Sequence, residues 1–335
     1  YLKEGDLVIA DASEDYSDIG KAIEIKSLSD IKVVAGLHTL LARRISDDIA
    51  NGFVSHLLKT WAVRKQVMQI AQGAKVLGVS TGRYSNIVIS IPTKSEQQKI
   101  ADFLSAVDKK ISLLKQKHSL LQQYKRGVIQ RFFSQQIRFK GDNDKFFPDW
   151  QDVRLKDVLV LQSRSIDMLD DETYELITVK RRNGGIVSRG MFKGKDVLVK
   201  NQFQLKKGQF VISKRQIVHG ACGMVPERLE GAILSNEYDV FEANQKHLDI
   251  QYFNLFATTL EMRKAFFRNS DGVHIEKLLF KTQSWLKTKL QLPCVDEQLK
   301  ILGFVKALDK KIELAAKQIE LTQTFKKGLL QQMFV

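Results

Sequence analysis

The longest regular pattern of apolar positions in the chain is a heptad repeat, and the chain contains it twice. Stripe positions recur at alternating steps of four and three in residues 92–134, and the same spacing returns 201 positions later in residues 293–335. A heptad sustained in this way indicates a helix whose stripe packs against a second helix. One such helix cannot bury its stripe alone, so we expect each copy to pack against the other. The stripe positions are Ile100, Leu104, Val107, Ile111, Leu114, His118, Leu121, Lys125, Val128 and Phe132, followed by Ile301, Val305, Leu308, Ile312, Ala315, Ile319, Thr322, Lys326, Leu329 and Met333.

Each predicted helix starts with the same motif, Pro-x-x-x-Glu-Gln. It reads PTKSEQ at residues 92–97 and PCVDEQ at residues 293–298, and the two copies align without a gap to the end of both helices. Short polar side chains at a helix start accept hydrogen bonds from the first free backbone N–H groups. The pattern therefore predicts N-caps at Ser95 and Asp296.

The residues in front of each helix are also similar. LKEGDLVIA at residues 2–10 is matched by LKKGQFVIS at residues 205–213, and both are typical of a turn glycine followed by a buried strand. A helical pattern at residues 53–71 is matched by a second one through residues 252–266. Short strands, glycine turns and an amphipathic helix favour a compact α+β domain, present here in two copies.

Two further strands are expected in the first domain. One is IKVVAG at residues 31–36, and the other is the apolar stretch IVISI at residues 87–91, directly before Pro92. The stretch LQL before Pro293 is the counterpart of the second.

These elements predict a domain–helix–domain–helix order. Residues 147–203 have no counterpart in the first domain, because Tyr1 already aligns near Gln204, so we expect that domain to be N-terminally incomplete. Residues 135–150 are rich in Gly, Asn, Asp and Pro, which is typical of a linker. The predicted boundaries are residues 1–91 for the first domain, 92–134 for the first helix, 135–150 for the linker, 151–292 for the second domain and 293–335 for the second helix.

The chain is strongly basic. Its 53 Lys and Arg residues against 38 Asp and Glu give a net charge of +15 and a pI of about 9.6. Such a balance favours a polyanionic partner, most simply nucleic acid, although a solvated basic surface would read the same way. No apolar run reaches the roughly 18 residues that a membrane-spanning helix needs. Cys222 and Cys294 are the only cysteines and lack metal-ligand spacing, which is typical of a reducing, cytoplasmic setting.

The sequence lacks the motifs of the common nucleotide-dependent enzymes. It contains no GxxxxGK[ST] phosphate loop, no GxGxxG and no cluster of metal-ligand residues. It also lacks the Asn-Pro-Pro-aromatic tetrapeptide that usually marks an amino-methyltransferase. We therefore expect neither ATP hydrolysis nor methyl transfer by this chain alone.

The arrangement resembles the specificity subunit of type I restriction-modification systems. The resemblance rests on IPTKSEQQKIADFLSAVDKKI at residues 91–111 and LPCVDEQLKILGFVKALDKKI at residues 292–312. A third match is FFPDWQDVRLKDV at residues 146–158, which is similar to the segment that opens a target-recognition domain in that family. The resemblance covers essentially the whole chain, and the shortened first domain is its one departure.

The resemblance implies an α+β fold with two similar target-recognition domains separated by two long helices that form an antiparallel intramolecular coiled coil. It implies a non-catalytic subunit that reads a bipartite site in double-stranded DNA. The expected partners are two adenine-methyltransferase subunits and the motor-nuclease subunits. S-adenosylmethionine, ATP and Mg are expected on those partners, and no cofactor on this chain.

Three polar loops of the second domain supply candidate DNA contacts. They are KRRNGG at residues 180–185, SKRQIVHG at 213–220 and RNSDGVH at 268–274, and the turn after Gly73 adds two candidates in the first domain. Arginine on guanine and asparagine on adenine are the commonest base-reading pairs, while lysine mostly contacts phosphate. His219 fits a core or turn position as well as a contact. The candidates are Lys180, Arg181, Arg182, Asn183, Lys214, Arg215, Gln216, Arg268, Asn269, Lys75 and Arg83.

Two other functions compete with sequence-specific recognition. A coiled-coil adaptor could bind DNA non-specifically through its basic surface, and such binding would weaken steeply and uniformly with salt. An enzyme with an unrecognised nuclease site would instead cleave DNA in a metal-dependent reaction without a partner. Preference for one bipartite sequence at raised salt distinguishes the specificity subunit from both.

Overall fold

The computed structural model describes residues 1–28, 31–141 and 144–334, which form two compact units. The first unit comprises Tyr1–Leu120 and Ile312–Val335, and the second comprises Leu121–Lys311. Each unit therefore contains one α+β body and one stretch of each long helix.

The first unit has a three-stranded antiparallel sheet at its centre. Its elements are β1 Leu7–Ala10, β2 Ala12–Ser13, β3 Ala22–Glu24, β4 Thr39–Ala42, α1 Phe53–Leu57, α2 Trp61–Ile70, β5 Leu77–Gly78 and α3 Thr81–Tyr84, followed by the long helix α4, Lys94–Phe133. The sheet has the order β3-β1-β4, and β2 pairs separately with β5. β1 follows a turn at Gly5, whose φ of 83° lies in the left-handed region that favours glycine, as the sequence pattern predicts.

Two predictions for the first unit are wrong. Residues 31–36 and 87–91 form no strand, and the strand in the earlier region is β4 instead. The helical pattern at residues 53–71 is also interrupted, because α1 ends at Leu57 and α2 begins after Thr60, the N-cap of α2. A strand forms only where a neighbouring strand satisfies its backbone groups, and none of the strands described in the first unit lies beside those two segments.

The second unit is larger. Its strands are β6 Gln151–Arg154, β7 Leu159–Gln162, β8 Ser165–Ile166, β9 Thr173–Val179, β10 Ile186–Lys193, β11 Gln202–Gln204, β12 Phe210–Ser213, β13 Cys222–Met224, β14 Ile233–Ser235, β15 Tyr238–Ala243, β16 Ser270–Asp271, β17 Leu279–Phe280 and β18 Lys289–Leu292. Its helices are α5 Leu155–Val158, α6 Ile250–Phe256, α7 Leu260–Arg268 and α8 Thr282–Trp285, and the long helix α9 follows at Val295–Gln332. Short 3-10 turns lie at Gly194–Asp196, Ile217–His219, Glu227–Leu229 and Ile275–Lys277.

Strand β12 lies between the two cores of the second unit. A five-stranded sheet in the order β10-β9-β14-β11-β8 and a four-stranded sheet in the order β13-β12-β15-β7 share one core, which contains Val211. Phe210 and Ile212 belong to the other core, with α6, α7 and α8. Burial on both faces explains why β12 is a continuous apolar run in the sequence.

The two units share a topology. The order β13-β12-β15 repeats β3-β1-β4, the pair α6 and α7 repeats α1 and α2, and α8 repeats α3. The sequence-based prediction of two similar α+β bodies is confirmed. The five-stranded sheet is the addition in the second unit, and most of its strands come from the residues without a counterpart.

The long helices α4 and α9 pack on each other antiparallel. In the first unit Lys326 near the end of α9 donates two hydrogen bonds to Asp108, at 2.6 and 2.7 Å. In the second unit Lys125 of α4 forms the equivalent ion pair with Asp309. The 201-residue repeat matches Lys125 to Lys326 and Asp108 to Asp309. Every predicted stripe position is buried or half-buried, which confirms the heptad seam.

Each long helix starts two residues earlier than the predicted N-cap implies. α4 begins at Lys94 and α9 at Val295, so Ser95 and Asp296 lie within the first turn and are not N-caps. The glutamine side chain of the Pro-x-x-x-Glu-Gln motif instead forms hydrogen bonds to the proline before the helix and to a loop of the domain. Gln97 donates to the carbonyls of Pro92 and Asp48 and accepts from the N–H of Ala50.

Gln298 makes the matching set of hydrogen bonds in the second unit. It donates to the carbonyls of Pro293 and His247 and accepts from the N–H of Asp249, all within 3.0 Å. Both glutamine side chains are buried. Each one therefore joins the start of a long helix to the loop that leads into the first short helix of its own domain.

The predicted linker at 135–150 is folded onto the second unit where it is described. Arg138 is paired with the fully buried Glu297, which also accepts from the indole N–H of Trp150 at 3.2 Å. The ring of Phe139 lies 4.9 Å from that of Phe132, centroid to centroid. These contacts give the glutamate of the Pro-x-x-x-Glu-Gln motif a structural role in α9.

A buried histidine should make the first unit sensitive to acid. Burial and the nearby Lys59 and Lys326 ammonium groups lower the pKa of His56 from 6.5 to about 4, and its Nδ1 has no hydrogen-bond partner among the described residues. The unfolded chain binds a proton there at a higher pH than the folded chain does. The contribution of neutral His56 to the free energy of unfolding should therefore be fully present above pH 6.5. The free energy of unfolding should fall by about 2–3 kcal/mol as the pH drops towards 4.

This loss is measured by urea unfolding of the full chain at pH 7, 5.5 and 4.5, with hydrogen exchange of residues 1–91 as the readout. His56→Leu should flatten the dependence on pH between 6.5 and 4.5. A loss of equal size in the variant would mean that another group titrates.

Candidate DNA interface

The loop between β9 and β10 is held in an unusual backbone conformation. Arg182 and Asn183 have φ values of 58° and 55°, in the left-handed region. This conformation is tolerated by asparagine but costs about 1 kcal/mol or more at arginine. The surrounding structure holds it in place, because the N–H of Arg182 donates to the carbonyl of His219 at 2.7 Å and the N–H of Asn183 donates to that of Gly220 at 2.9 Å.

These hydrogen bonds join the loop at residues 180–185 to the loop at residues 214–220, which leaves the end of β12. Gly220 is required at the junction, since its φ is 75° and a Cβ there would lie 2.9 Å from the side-chain oxygen of Asn183. Two of the three polar loops predicted from the sequence are therefore in direct contact.

A third loop, after α7, is attached through Glu276. One carboxylate oxygen lies 3.1 Å from Nη2 of Arg181, and the other lies 3.2 Å from Nε2 of His219. Strand β17 of the same segment donates from the N–H of Phe280 to the carbonyl of Lys214 at 3.0 Å. We call the surface formed by residues 180–185, 214–220 and 269–277 the three-loop surface.

Two arginines of the three-loop surface are held by exposed ion pairs. Arg181 is paired with Glu276, and Arg215 donates to Glu237 at 2.6 Å, which raises the pKa of the Arg215 guanidinium. Both pairs are about half exposed. Exposed pairs of this kind stabilise a protein by at most about 1 kcal/mol, so a base or phosphate can replace the carboxylate at little cost.

The other predicted residues of this unit have varied surroundings. Lys180, Arg182 and Asn183 are exposed at the tip of the first loop, while Lys214 is half-buried, 4.0 Å from Asp239, whose pKa is raised by burial. The backbone carbonyl of Gln216 accepts from the N–H groups of His219 and Ala221, and its side-chain oxygen is buried without a partner among the described residues.

The third loop starts with residues that serve the fold. Asn269 donates to the carbonyl of Ala265 at 2.8 Å and accepts from the hydroxyl of Ser284 at 2.7 Å. Arg268 is exposed and donates within α7 to the carbonyl of Lys264. The bonding capacity of Asn269 is thus largely used within the protein.

The two candidates of the first unit are both exposed. Lys75 is exposed in the turn after Gly73, whose φ of 138° and close approach to the carbonyl of Val76 require glycine. Arg83 is exposed on α3 and lines a cavity of about 530 Å³ together with Asp11 and His38. The N–H of Val79 donates to the carbonyl of Asp11 at 2.8 Å, which is the equivalent of the bond from Phe280 to Lys214 in the second unit.

Sequence reasoning missed Glu276, the residue that joins the first and third loops to each other. Its sequence context, a single acidic residue between His274 and an apolar stretch, gives no signal for this role. An acidic residue is also not expected at the centre of a basic surface. Only the three-dimensional neighbourhood identifies it.

Residues 1–28, 31–141 and 144–334 contain no group of three His, Cys, Asp or Glu side chains that could hold a metal ion. Within the same ranges no helix is long and apolar enough to cross a membrane. Burial raises the pKa of the Cys222 thiol to about 12, so that cysteine is not a reactive thiolate at neutral pH.

Two related α+β bodies, each attached to paired long helices, and a basic loop surface define a protein of the DNA-reading class. Comparison with protein-family models gives a match to the type I restriction modification DNA specificity domain over residues 2–123 and 148–323. The chain belongs to this family. Its function is sequence recognition in DNA, and a coiled-coil adaptor that binds DNA non-specifically is not supported.

Similar proteins agree with this assignment. The chain is 25% identical over 301 residues to the type I restriction enzyme MjaVIII specificity subunit of Methanocaldococcus jannaschii, covering 86% of this chain and 69% of that protein. Two solved structures share the fold at 13% identity. They are the S subunit from M. genitalium, with a TM-score of 0.54 over 100% of this chain and 84% of that one, and the HsdS subunit from Thermoanaerobacter tengcongensis, with a TM-score of 0.57 over 99% and 81%.

Proposed function

We propose that the chain is the non-catalytic specificity subunit of a type I restriction-modification complex and that its three-loop surface reads one half of a bipartite site in double-stranded DNA. The observation that carries the proposal is the convergence of three polar loops, distant in sequence, through hydrogen bonds at His219 and Gly220 and the carboxylate of Glu276. A surface held by the backbone presents its side chains with little loss of conformational freedom on binding.

The chemistry of the exposed side chains suits bases and phosphates. Arg182 and Asn183 lie next to each other at a tip held by the backbone, where a guanidinium can bind a guanine edge and a carboxamide an adenine edge. Lys180 beside them suits a phosphate. Arg181 and Arg215 are positioned by carboxylates that DNA can replace.

The remaining reaction steps are assigned to partners. We assign adenine methylation and DNA translocation with cleavage to two methyltransferase subunits and to motor-nuclease subunits, with S-adenosylmethionine, ATP and Mg bound there. A solved relative concerns complex assembly of the type I system; it shares the fold at 13% identity and a TM-score of 0.62, over 99% of this chain and 82% of that one. A subunit with this role works in the cytoplasm, where the DNA is.

The domain boundaries at 1–91 and 151–292 remain part of the proposal, and so does a contribution of Lys75 and Arg83 to reading the other half-site. Both residues are exposed and basic, as such a role requires.

Selection of bound sites from a random double-stranded DNA library, with the chain and its methyltransferase partners together, tests the proposal. A single bipartite sequence should emerge, and Arg181→Ala and Arg215→Ala should each weaken binding to it by about 1–3 kcal/mol where the arginine reads a base. The loss should be smaller on DNA in which that half-site is scrambled.

Arg228→Ala is the matched control, because Arg228 is an exposed arginine of the same unit outside the three-loop surface. Its affinity should stay within a factor of about two of the unchanged chain. Equal losses on specific and scrambled DNA would make the two arginines phosphate contacts. Recovery of no preferred sequence, with binding that falls uniformly with salt, would contradict the proposed function.

A further inference from the structure

Two side chains of opposite charge lie next to each other on the three-loop surface. Nη2 of Arg181 lies 3.1 Å from one carboxylate oxygen of Glu276, and the two side chains are 51% and 58% exposed. The other carboxylate oxygen lies 3.2 Å from Nε2 of His219. A guanidinium and a carboxylate therefore reach solvent side by side on the surface that is proposed to bind DNA.

The turn that carries Glu276 is held by its backbone. A Cβ on Gly272 would lie 2.8 Å from the carbonyl of Lys277, so a side chain there would collide with the other end of the loop. The N–H of Lys277 donates to the carbonyl of His274 at 2.8 Å. Arg181 directly precedes the two backbone hydrogen bonds that join the first loop to the second. Both side chains are thus presented from anchored loops.

The ion pair leaves much of the hydrogen-bonding capacity of both groups available. Among the described residues the guanidinium of Arg181 donates only from Nη2, so Nε and Nη1 can donate to a base. Each carboxylate oxygen of Glu276 has a second lone pair that can accept a hydrogen bond. A base pair can therefore bind while Arg181 and Glu276 stay together.

A carboxylate on a DNA-binding surface restricts what can lie against it. A phosphate would meet the negative charge of Glu276 as well as the positive charge of Arg181, so the pair attracts the DNA backbone little. In the major groove, guanine presents the acceptors N7 and O6, and its cytosine partner presents the N4 amino donor beside them. Arginine donates to the first two and glutamate accepts from the third. The neighbouring guanidinium and carboxylate match this order of acceptors and donor.

We propose that Arg181 and Glu276 together read one G·C base pair from the major groove, Arg181 by donating to guanine and Glu276 by accepting from the N4 amino group of cytosine. This inference rests on the proposed function and names one base pair of its half-site. Other pairs fit less well. Adenine has an amino donor where guanine has O6, and in the reversed pair the acceptors of guanine lie on the side of the carboxylate.

Base substitution in the selected bipartite site tests the proposal, with the chain and its methyltransferase partners together. Each base pair of the half-site is changed in turn to the other three, and the affinity is measured. The unchanged chain should require G·C at one position, with a loss of about tenfold or more for other pairs. Arg181→Ala and Glu276→Ala should each lower the discrimination at this same position about fivefold or more and leave the other preferences unchanged.

Base analogues assign each contact to its atom. In 2-pyrimidinone the N4 amino group of cytosine is absent, and in 7-deazaguanine the N7 acceptor of guanine is absent. The cytosine analogue should weaken binding of the unchanged chain about tenfold, but that of Glu276→Ala by no more than about twofold, because the variant has already lost this contact. The guanine analogue should show the same relation to Arg181→Ala.

Glu230→Ala is the control, because Glu230 is an exposed glutamate of the same unit outside the three-loop surface. Its base preferences should match those of the unchanged chain at every position. A bipartite site in which the two variants act on different base pairs, on an A·T pair or on none would overturn this inference and leave the proposed function intact. Selection that yields no bipartite site would overturn both.

Discussion

Replacing Glu297 with alanine should lower the free energy of unfolding of the second unit by about 3 kcal/mol. Its carboxylate is fully buried and accepts hydrogen bonds from Arg138 and from Trp150. Removal leaves an arginine side chain that is only 14% exposed without its buried counter-charge. The loss falls at the low end for a broken buried pair, because Arg138 keeps Asp149 and two backbone carbonyls as partners.

Glu96→Ala is the control at the equivalent position of the other helix. Glu96 is exposed and unpaired among the described residues, so the first unit should change by no more than about 0.5 kcal/mol. Denaturant unfolding followed by hydrogen exchange in each unit measures both losses separately. Equal losses at the two positions would contradict the expected difference between the buried Glu297 and the exposed Glu96. They would mean that the glutamate is needed for the helix start itself.

The sequence predicts the long helices well because their signal is local. A heptad stripe specifies both the helix and its buried face, and every stripe position from Ile100 to Met333 lies on the seam. The 201-residue repeat also relates Lys125 to Lys326 and Asp108 to Asp309. Each lysine pairs with the aspartate of the other helix because the helices are antiparallel. The predicted N-caps at Ser95 and Asp296 are two residues too late, because the helices begin at Lys94 and Val295.

The failed strands have a non-local cause. Ile233 is buried in β14, where β11 and β9 pair with it. When β4 is matched to β15, with Thr39 on Tyr238, the residue that aligns with Ile233 is Val34, which is exposed. The apolar pattern is present in both copies, whereas the partner strands are present in one. The same holds for residues 87–91 and β18, whose partner is β6. Periodicity identifies a segment that can form a strand, and the neighbours decide whether it does.

The sequence predicts the individual loops of the candidate interface but not the contacts between them. Loops beginning at Lys180 and Lys214 were identified because polar runs follow buried strands. Their contact depends on left-handed backbone at Arg182 and Asn183 and on Gly220, and such dihedral angles at non-glycine residues leave no mark in composition. The role of Asn269 in the fold was likewise invisible, because a carboxamide serves a helix end and a base edge equally well.

The glutamines of the two Pro-x-x-x-Glu-Gln motifs should behave alike, in contrast to the glutamates. Gln97→Leu and Gln298→Leu keep the side-chain volume but leave one N–H and two carbonyls without their partner. We expect each to cost about 3 kcal/mol, because every buried backbone group left unsatisfied costs about 1–3 kcal/mol and water recovers part of the loss at these loops.

Each glutamine variant should destabilise its own unit alone. Gln97→Leu should increase hydrogen exchange at residues 48–57, and Gln298→Leu at residues 247–256, because each glutamine holds the loop that leads into α1 or α6. Gln98→Leu is the matched control, since that side chain is exposed and bonds only to Asp102 among the described residues. Since α6 belongs to the core that supports β12, Gln298→Leu should also weaken DNA binding through the loop that follows this strand. Exchange that rises equally in both units after either substitution would show that the glutamines act on the paired helices, and the assignment of each one to a single domain would be wrong.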